Sequence, residues 1–143
     1  MPPKGSFRSD DPAELLEFIE RKLLKRGFAA KFLARFDAVY VRPHGGDTSA
    51  AVRIGKPGLL SKDVGVLVSP PEDMERDTVS RRLEAAGVRG PEARRSFGQT
   101  IYDFPDTTPA SELVDFALAA LGAFDAKPAD DRWEWEASRP SPE

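Results

Sequence analysis

Lys62-Asp63-Val64-Gly65-Val66-Leu67-Val68-Ser69 is the stretch on which the reading of this chain turns. Five near-continuous apolar residues end at Ser69-Pro70-Pro71, where two prolines stop any regular ladder. A run this short lacks the length and the polar side of a helix, so it reads as a strand covered on both faces. The segments before it offer strands to pair with it, and those after it offer helices to cover it.

Upstream, Ala50, Val52 and Ile54 alternate with Ser49, Ala51 and Arg53, the period of a half-buried strand. Val39-Tyr40-Val41 is a second strand, and Pro43-His44-Gly45-Gly46-Asp47 between the two has turn composition, so an antiparallel hairpin is expected. Residues 28–36 are ambiguous. Phe28, Phe32 and Phe36 recur every four positions, as on a helix face, yet with Ala30 and Ala34 they also share the parity of a strand face. Further upstream, Asp11-Pro12-Ala13-Glu14 carries the signals of a helix start, with Asp11 as cap and Glu14 at the capping-box position. Acids come early and bases late along that helix, as its dipole prefers, and Gly27 closes it. Residues 1–9 are expected to be loose.

Downstream, Val79, Leu83 and Ala86 recur at helical spacing before Gly87. Residues 88–96 are charged and broken by Gly90 and Pro91, which suggests a loop. Gln99–Phe104 is strand-like, and Thr108-Pro109 opens a last helix capped by Thr108. Leu113, Val114, Phe116, Ala117, Leu118 and Leu121 leave that helix little polar surface, so it is buried or meets a partner. The tail from Asp125 is Pro-, Asp- and Ala-rich, and Arg132-Trp133-Glu134-Trp135-Glu136 is either a short edge strand or a recognition segment in a disordered tail.

The expected fold is therefore α+β: a mainly antiparallel sheet of four to five strands, with two long helices on one face and a shorter third. The chain divides into a flexible stretch 1–10, one domain over 11–124, and an acidic tail 125–143. With 143 residues, such a domain needs neither metal nor disulfide to fold. No cysteine is present, which removes thiol catalysis and Cys-based metal sites. The N-terminus lacks the apolar core of a signal peptide and no stretch approaches the ~18 apolar residues of a membrane span, so cytoplasm is the expected location. The net charge of −3 argues against a dedicated nucleic-acid binder.

Motifs for bond-breaking chemistry are incomplete. His44-Gly45-Gly46 resembles an esterase oxyanion loop, but neither G-x-S-x-G nor a second histidine accompanies it. The glycine turns at 45–48 and 55–58 do not match a phosphate-binding loop. Asp63 precedes a strand as in metal-dependent nuclease cores, yet no E-x-K follows it. No cofactor is expected. Arg81, Arg82, Arg94 and Arg95 are candidates for an anion site, set against the simpler reading of solvated arginines paired with nearby acids. The aromatic residues offer the alternative of a partner surface: Phe32, Phe36, Tyr40, Phe116, Trp133 and Trp135 are the candidates. Burial in the protein's own core is the competing reading for the sheet aromatics.

The order of helix, three strands, helix, strand and helix resembles the small α+β fold of type III secretion chaperones and YbjN-like proteins. The points of resemblance are the Asp11–Arg26 helix, the Arg82-Leu83-Glu84-Ala85-Ala86-Gly87 helix end, and Ile101-Tyr102-Asp103-Phe104-Pro105 feeding the helix Ser111–Leu121. It spans residues 11–124 and is one of layout, with no diagnostic motif and no functional residue to carry over. A second strand ahead of the last helix, part of that layout, is not legible here. The resemblance implies peptide or protein binding, commonly as a dimer, without catalysis. The expected function is thus a non-enzymatic protein- or peptide-binding module: an adaptor, a chaperone-like protein, or an accessory or immunity protein. The alternatives are a small-ligand protein or enzyme using scattered Asp, Glu and Arg, or an anion binder using the arginines.

Overall fold

A computed structural model of the chain describes residues 3–24, 36–45, 50–55, 63–88, 92–96, 99–126, 128 and 130–138. Its strands are β1 (Lys4–Phe7), β2 (Ala38–Pro43), β3 (Ala51–Gly55), β4 (Asp63–Ser69), β5 (Glu92–Ser96), β6 (Gln99–Pro105) and β7 (Trp133–Ser138). They form one seven-stranded sheet in the order β1-β7-β2-β3-β4-β6-β5, antiparallel at every pairing. Helix α1 (Ala13–Phe18) continues through a wider π-helical turn, Ile19–Leu23, and is followed in the chain by α2 (Arg76–Ala85) and α3 (Ala110–Ala123).

The α+β class, the antiparallel sheet and the hairpin of β2 with β3 agree with the sequence reading. The strand count does not: seven strands replace the expected four to five. Two additions are the segments expected to be loose and loop; the third lies in the tail, where a short edge strand is one of the two readings the sequence leaves open. Residues 4–7 are the edge strand β1, and 92–96 form β5, paired with β6. Residues 133–138 form β7, which lies inside the sheet between β1 and β2 and is no edge. Edge strands are commonly short and charged, which leaves little alternation to read in Lys4–Phe7 or Glu92–Ser96. The flexible stretch and tail drawn on either side of 11–124 thus contribute two strands to the sheet. The long helix expected over 11–26 is described as far as Leu24, with a helical core of Ala13–Leu23.

Side-chain alternation sorts the sheet into two faces. Val39 and Val41, Val52 and Ile54, Val64, Val66 and Val68, Tyr102 and Phe104, and Trp133, Trp135 and Ala137 are all buried. Their neighbours Tyr40, Arg42, Arg53, Leu67, Asp103, Glu134 and Glu136 point the other way and remain at least partly accessible. The expectation that the Val64–Val68 run is covered on both faces is therefore corrected. Its valines are in the core, while Gly65 and Leu67 sit half-buried on the opposite side.

The helices cover the valine face. Phe18 of α1 meets Trp135 at 5.0 Å between ring centroids, and Phe116 of α3 meets Tyr102 at 4.8 Å and Phe104 at 5.0 Å. Helix α2 packs on α3. Leu113, Val114, Ala117, Ala120 and Leu121 place the long side of α3 in the core. Among the described residues, no helix is long and apolar enough to cross a membrane.

Helix ends show where local signals were overridden. Asp11 does not cap α1 with its side chain; its backbone N–H donates to the Arg8 carbonyl at 2.9 Å, in a bridge ahead of the helix. The cap position of α3 is Pro109, not Thr108, and proline has no side-chain acceptor. The Ala110 N–H instead donates to Glu20 Oε1 at 3.0 Å, so the π-helical turn of one helix caps the start of another. Gly87, at φ 73°, ends α2 as the sequence suggests. Val88 N–H donates to the Leu83 carbonyl and Gly87 N–H to that of Glu84, both at 3.0 Å, the double closure of a Schellman turn.

Glu20→Ala removes the acceptor at the start of α3. It is expected to lower unfolding stability by about 1 kcal/mol, as for other lost N-caps, measured by urea denaturation.

Candidate functional site

The sheet face turned away from the helices is not covered by any described helix. Lys4, Glu136, Tyr40, Arg53, Leu67 and Ile101 are successive cross-strand neighbours, forming one row from β1 to β6. Tyr40 is the exposed large hydrophobic residue among those described, at 41% of its free surface. Leu67 and Ile101 lie side by side and half-buried, with Gly65 next to Leu67 on the strand. The row thus sets Tyr40 on one side of Arg53 and the Leu67–Ile101 pair on the other, with Glu136 and Lys4 at its β1 end.

Two charged clusters belong to this face, one on the row and one beside it. Arg53 Nη2 approaches Asp37 Oδ2 at 3.8 Å. The guanidinium reaches this position by lying across Gly55, where a β-carbon would come within 2.7 Å of Nη1. Asp37 keeps its other oxygen, Oδ1, buried without a hydrogen-bond partner. At the opposite corner, Glu134 accepts from Arg42 Nε at 3.3 Å and lies 2.7 Å from His44 Nδ1. The His44 contact is the main reason that the Glu134 carboxyl is held below the ordinary glutamate range; partial burial opposes it and Arg42 adds to it. A shallow basin of about 360 Å³ runs beside this corner, lined by Lys4, Ser6, Arg42, Arg132, Glu134 and Glu136 among others.

A carboxylate holding an imidazole is the orienting half of a general acid–base arrangement. No described side-chain hydroxyl is hydrogen-bonded to His44, and no group of three His, Asp or Glu among the described residues has the disposition to hold a metal ion. The corner therefore presents charge and hydrogen-bonding groups to whatever contacts the face. Sequence reasoning took His44 for an isolated turn residue. Its partner lies 90 positions away, and the signal that could have found it is the Trp-Glu-Trp-Glu alternation, which puts Glu134 and Glu136 opposite the rings.

The aromatic candidates separate accordingly. Trp133 and Trp135 face the core, and Phe36 is buried with its ring 5.2 Å from Phe18. Phe116 is half-buried against Tyr102 and Phe104. Phe32 lies outside the described residues. Of the aromatic candidates among the described residues, Tyr40 alone lies on the face away from the helices. The arginines are not gathered into one described cluster: Arg81 donates to the Asp77 carbonyl at 3.4 Å on its own helix, and Arg82 donates to Asp125 at 2.9 Å. The side chains of Arg94 and Arg95 are outside the described part. Asp131 has a structural task, accepting from Ser9 N–H, Ser9 Oγ and Trp133 Nε1 and so fastening the turn after β1 to the start of β7.

Because the folded Glu134 pKa is lowered, its contribution is present at neutral pH and disappears as pH falls through that lowered value. Glu134→Gln is expected to cost about 0.5 kcal/mol at pH 7, typical of accessible pairs, and to approach the parent protein in acid. Thermal unfolding of both proteins across pH 3 to 7 (about the carboxylate range) checks this. No family model matches the chain, and comparison with curated proteins and with solved structures finds no match.

Proposed function

We propose that the protein is a non-enzymatic protein-binding module of the cytoplasm whose docking surface is the uncovered sheet face. The observation that carries this reading is the Tyr40–Arg53–Leu67–Ile101 row, three apolar side chains with Arg53 among them on a face that no described element of the chain covers. An apolar core and polar rim is the usual anatomy of a protein interface, and tyrosine is among the residues that dominate binding energy. Size supports it. Seven strands at ~4.8 Å spacing, each about 20 Å long, make a face of roughly 600 Å² in plan. A standard interface buries about 800 Å² per partner, so a protein is a better match in scale than a small ligand.

Within the order β1, α1, β2-β3-β4, α2, β5-β6, α3, β7, the stretch from α1 to α3 is consistent with the chaperone-like layout, because β5 supplies the second strand that the sequence did not reveal, while β1 and β7 lie outside that layout. Self-association through the same face is the simplest form of this reading. Tyr40→Asp combined with Leu67→Asp adds two charges to the centre of the face without entering the core. Light scattering is expected to show a mass above the monomer for the parent protein, falling to the monomer for the double variant with its circular dichroism unchanged. A parent that is monomeric, and that captures no protein partner sensitive to these substitutions, counts against the reading.

A further inference from the structure

The sheet ends at β1, and the backbone of that strand has an outer side. Pro3 C=O accepts from the Ala137 N–H at 2.8 Å, which makes Pro3 and Ala137 a hydrogen-bonded pair. Bonded and non-bonded pairs alternate along an antiparallel ladder, so Gly5 with Trp135 and Phe7 with Trp133 are bonded pairs too. Lys4 and Ser6 fall between them, and their N–H and C=O groups point away from β7. Both residues are exposed, and no described group bonds to their backbone on that side.

The strand is also held in place. Phe7 is buried in the core, and Ser9 donates its N–H at 3.1 Å and its hydroxyl at 2.8 Å to Asp131. Asp11 N–H closes the turn on the Arg8 carbonyl. An edge already fixed in the extended conformation loses little freedom when a further strand adds to it.

Free sheet edges take up extended segments by main-chain pairing, and the side chains alongside select among them. On β1 these are Lys4 and Ser6 on the face away from the helices, with Arg8 next in the alternation. A second copy of β1 is a poor occupant. Two-fold pairing about Ser6 sets Lys4 opposite Arg8, and pairing about Lys4 sets it opposite itself, like charges in either case. An acid-bearing strand is the complement. Arg8 is held only loosely by Asp10, at 3.8 Å with both side chains largely exposed. The acids of β7 are set back from the edge: Glu134 is engaged by Arg42 and His44, and Glu136 stands behind Lys4. Glu14 lies on the helix side, beside Gly5.

We propose that the free edge of β1 binds an extended peptide as a further antiparallel strand, with carboxylates opposite Lys4 and Arg8. Strand β7 stands between this edge and Tyr40, so either site can fail without the other.

The test is a titration of the full-length protein with acetyl-Glu-Val-Thr-Val-Glu-amide, followed by backbone amide exchange. The peptide's pattern is the same in both directions and places threonine opposite Ser6. The Lys4 and Ser6 amides are expected to exchange rapidly in the free protein and to gain protection on binding, while Gly5 and Phe7 are protected throughout. Acetyl-Lys-Val-Thr-Val-Lys-amide is expected to bind far more weakly. Methylating the threonine nitrogen is expected to raise the dissociation constant about tenfold, because the Ser6 carbonyl loses its donor. Methylating either valine nitrogen, which faces away from β1, is expected to change it little. Lys4→Gln and Arg8→Gln are each expected to raise it about threefold, the size of a cross-strand ion pair. Unchanged exchange at Lys4 and Ser6, equal binding of the two peptides, equal loss from methylation at threonine and valine, or unaltered affinity in both glutamine variants overturns the proposal. So does protection of these amides in the free protein that grows with its concentration, the sign of a second copy on the edge.

Discussion

The cross-strand register of the sheet is the constraint from which the rest of the structure follows. One row runs Gly5, Trp135, Val41, Val52 and Val68; the next core row runs Ala137, Val39, Ile54, Val66 and Tyr102. A slip of one residue at any pairing would exchange these with Glu134, Tyr40, Arg53 and Leu67, burying charge and exposing valine. The register is thus held by the cost of desolvating the wrong face. It also divides the two faces of β7, because the alternation that sends Trp135 to the helices sends Glu134 and Glu136 to the other side.

The helical layer depends on that face and on long-range polar ties. Helix α3 lies across β3 and β4 because its apolar side is broad enough to cover their valines. Glu20 reaches from the first helix to the start of α3, and Arg82 of α2 reaches Asp125 just beyond its end. Asp125 occupies the left-handed conformation, φ 57°, that closes α3, and Ala126 N–H donates to the Leu121 carbonyl in the same Schellman pattern as α2. Hydrophobic burial chooses which surfaces meet, and these contacts fix where each helix begins and ends.

The sheet face away from the helices carries Tyr40, Leu67 and Ile101 around Arg53, with the paired charges of Asp37 and Arg53 on it. At the His44–Glu134–Arg42 corner one carboxylate joins an imidazole to a guanidinium.

The sequence by itself determined the elements whose residues alternate or repeat over several turns. The Val64–Val68 strand, the β2–β3 hairpin, the body of the first helix, the end of α2 at Gly87 and the apolar breadth of α3 were all legible, because each is encoded by neighbours along the chain. The α+β class followed from their order. What only the tertiary structure decided was the partnership between distant segments. Lys4–Phe7 has no strand pattern and becomes one by pairing with Trp133–Glu136. His44 acquires its role from Glu134, and Trp135 its place from Gly5 and Phe18. Periodicity reports which side of an element is apolar, but it is silent on which remote surface will bury that side, since that depends on packing and desolvation among residues a hundred positions apart.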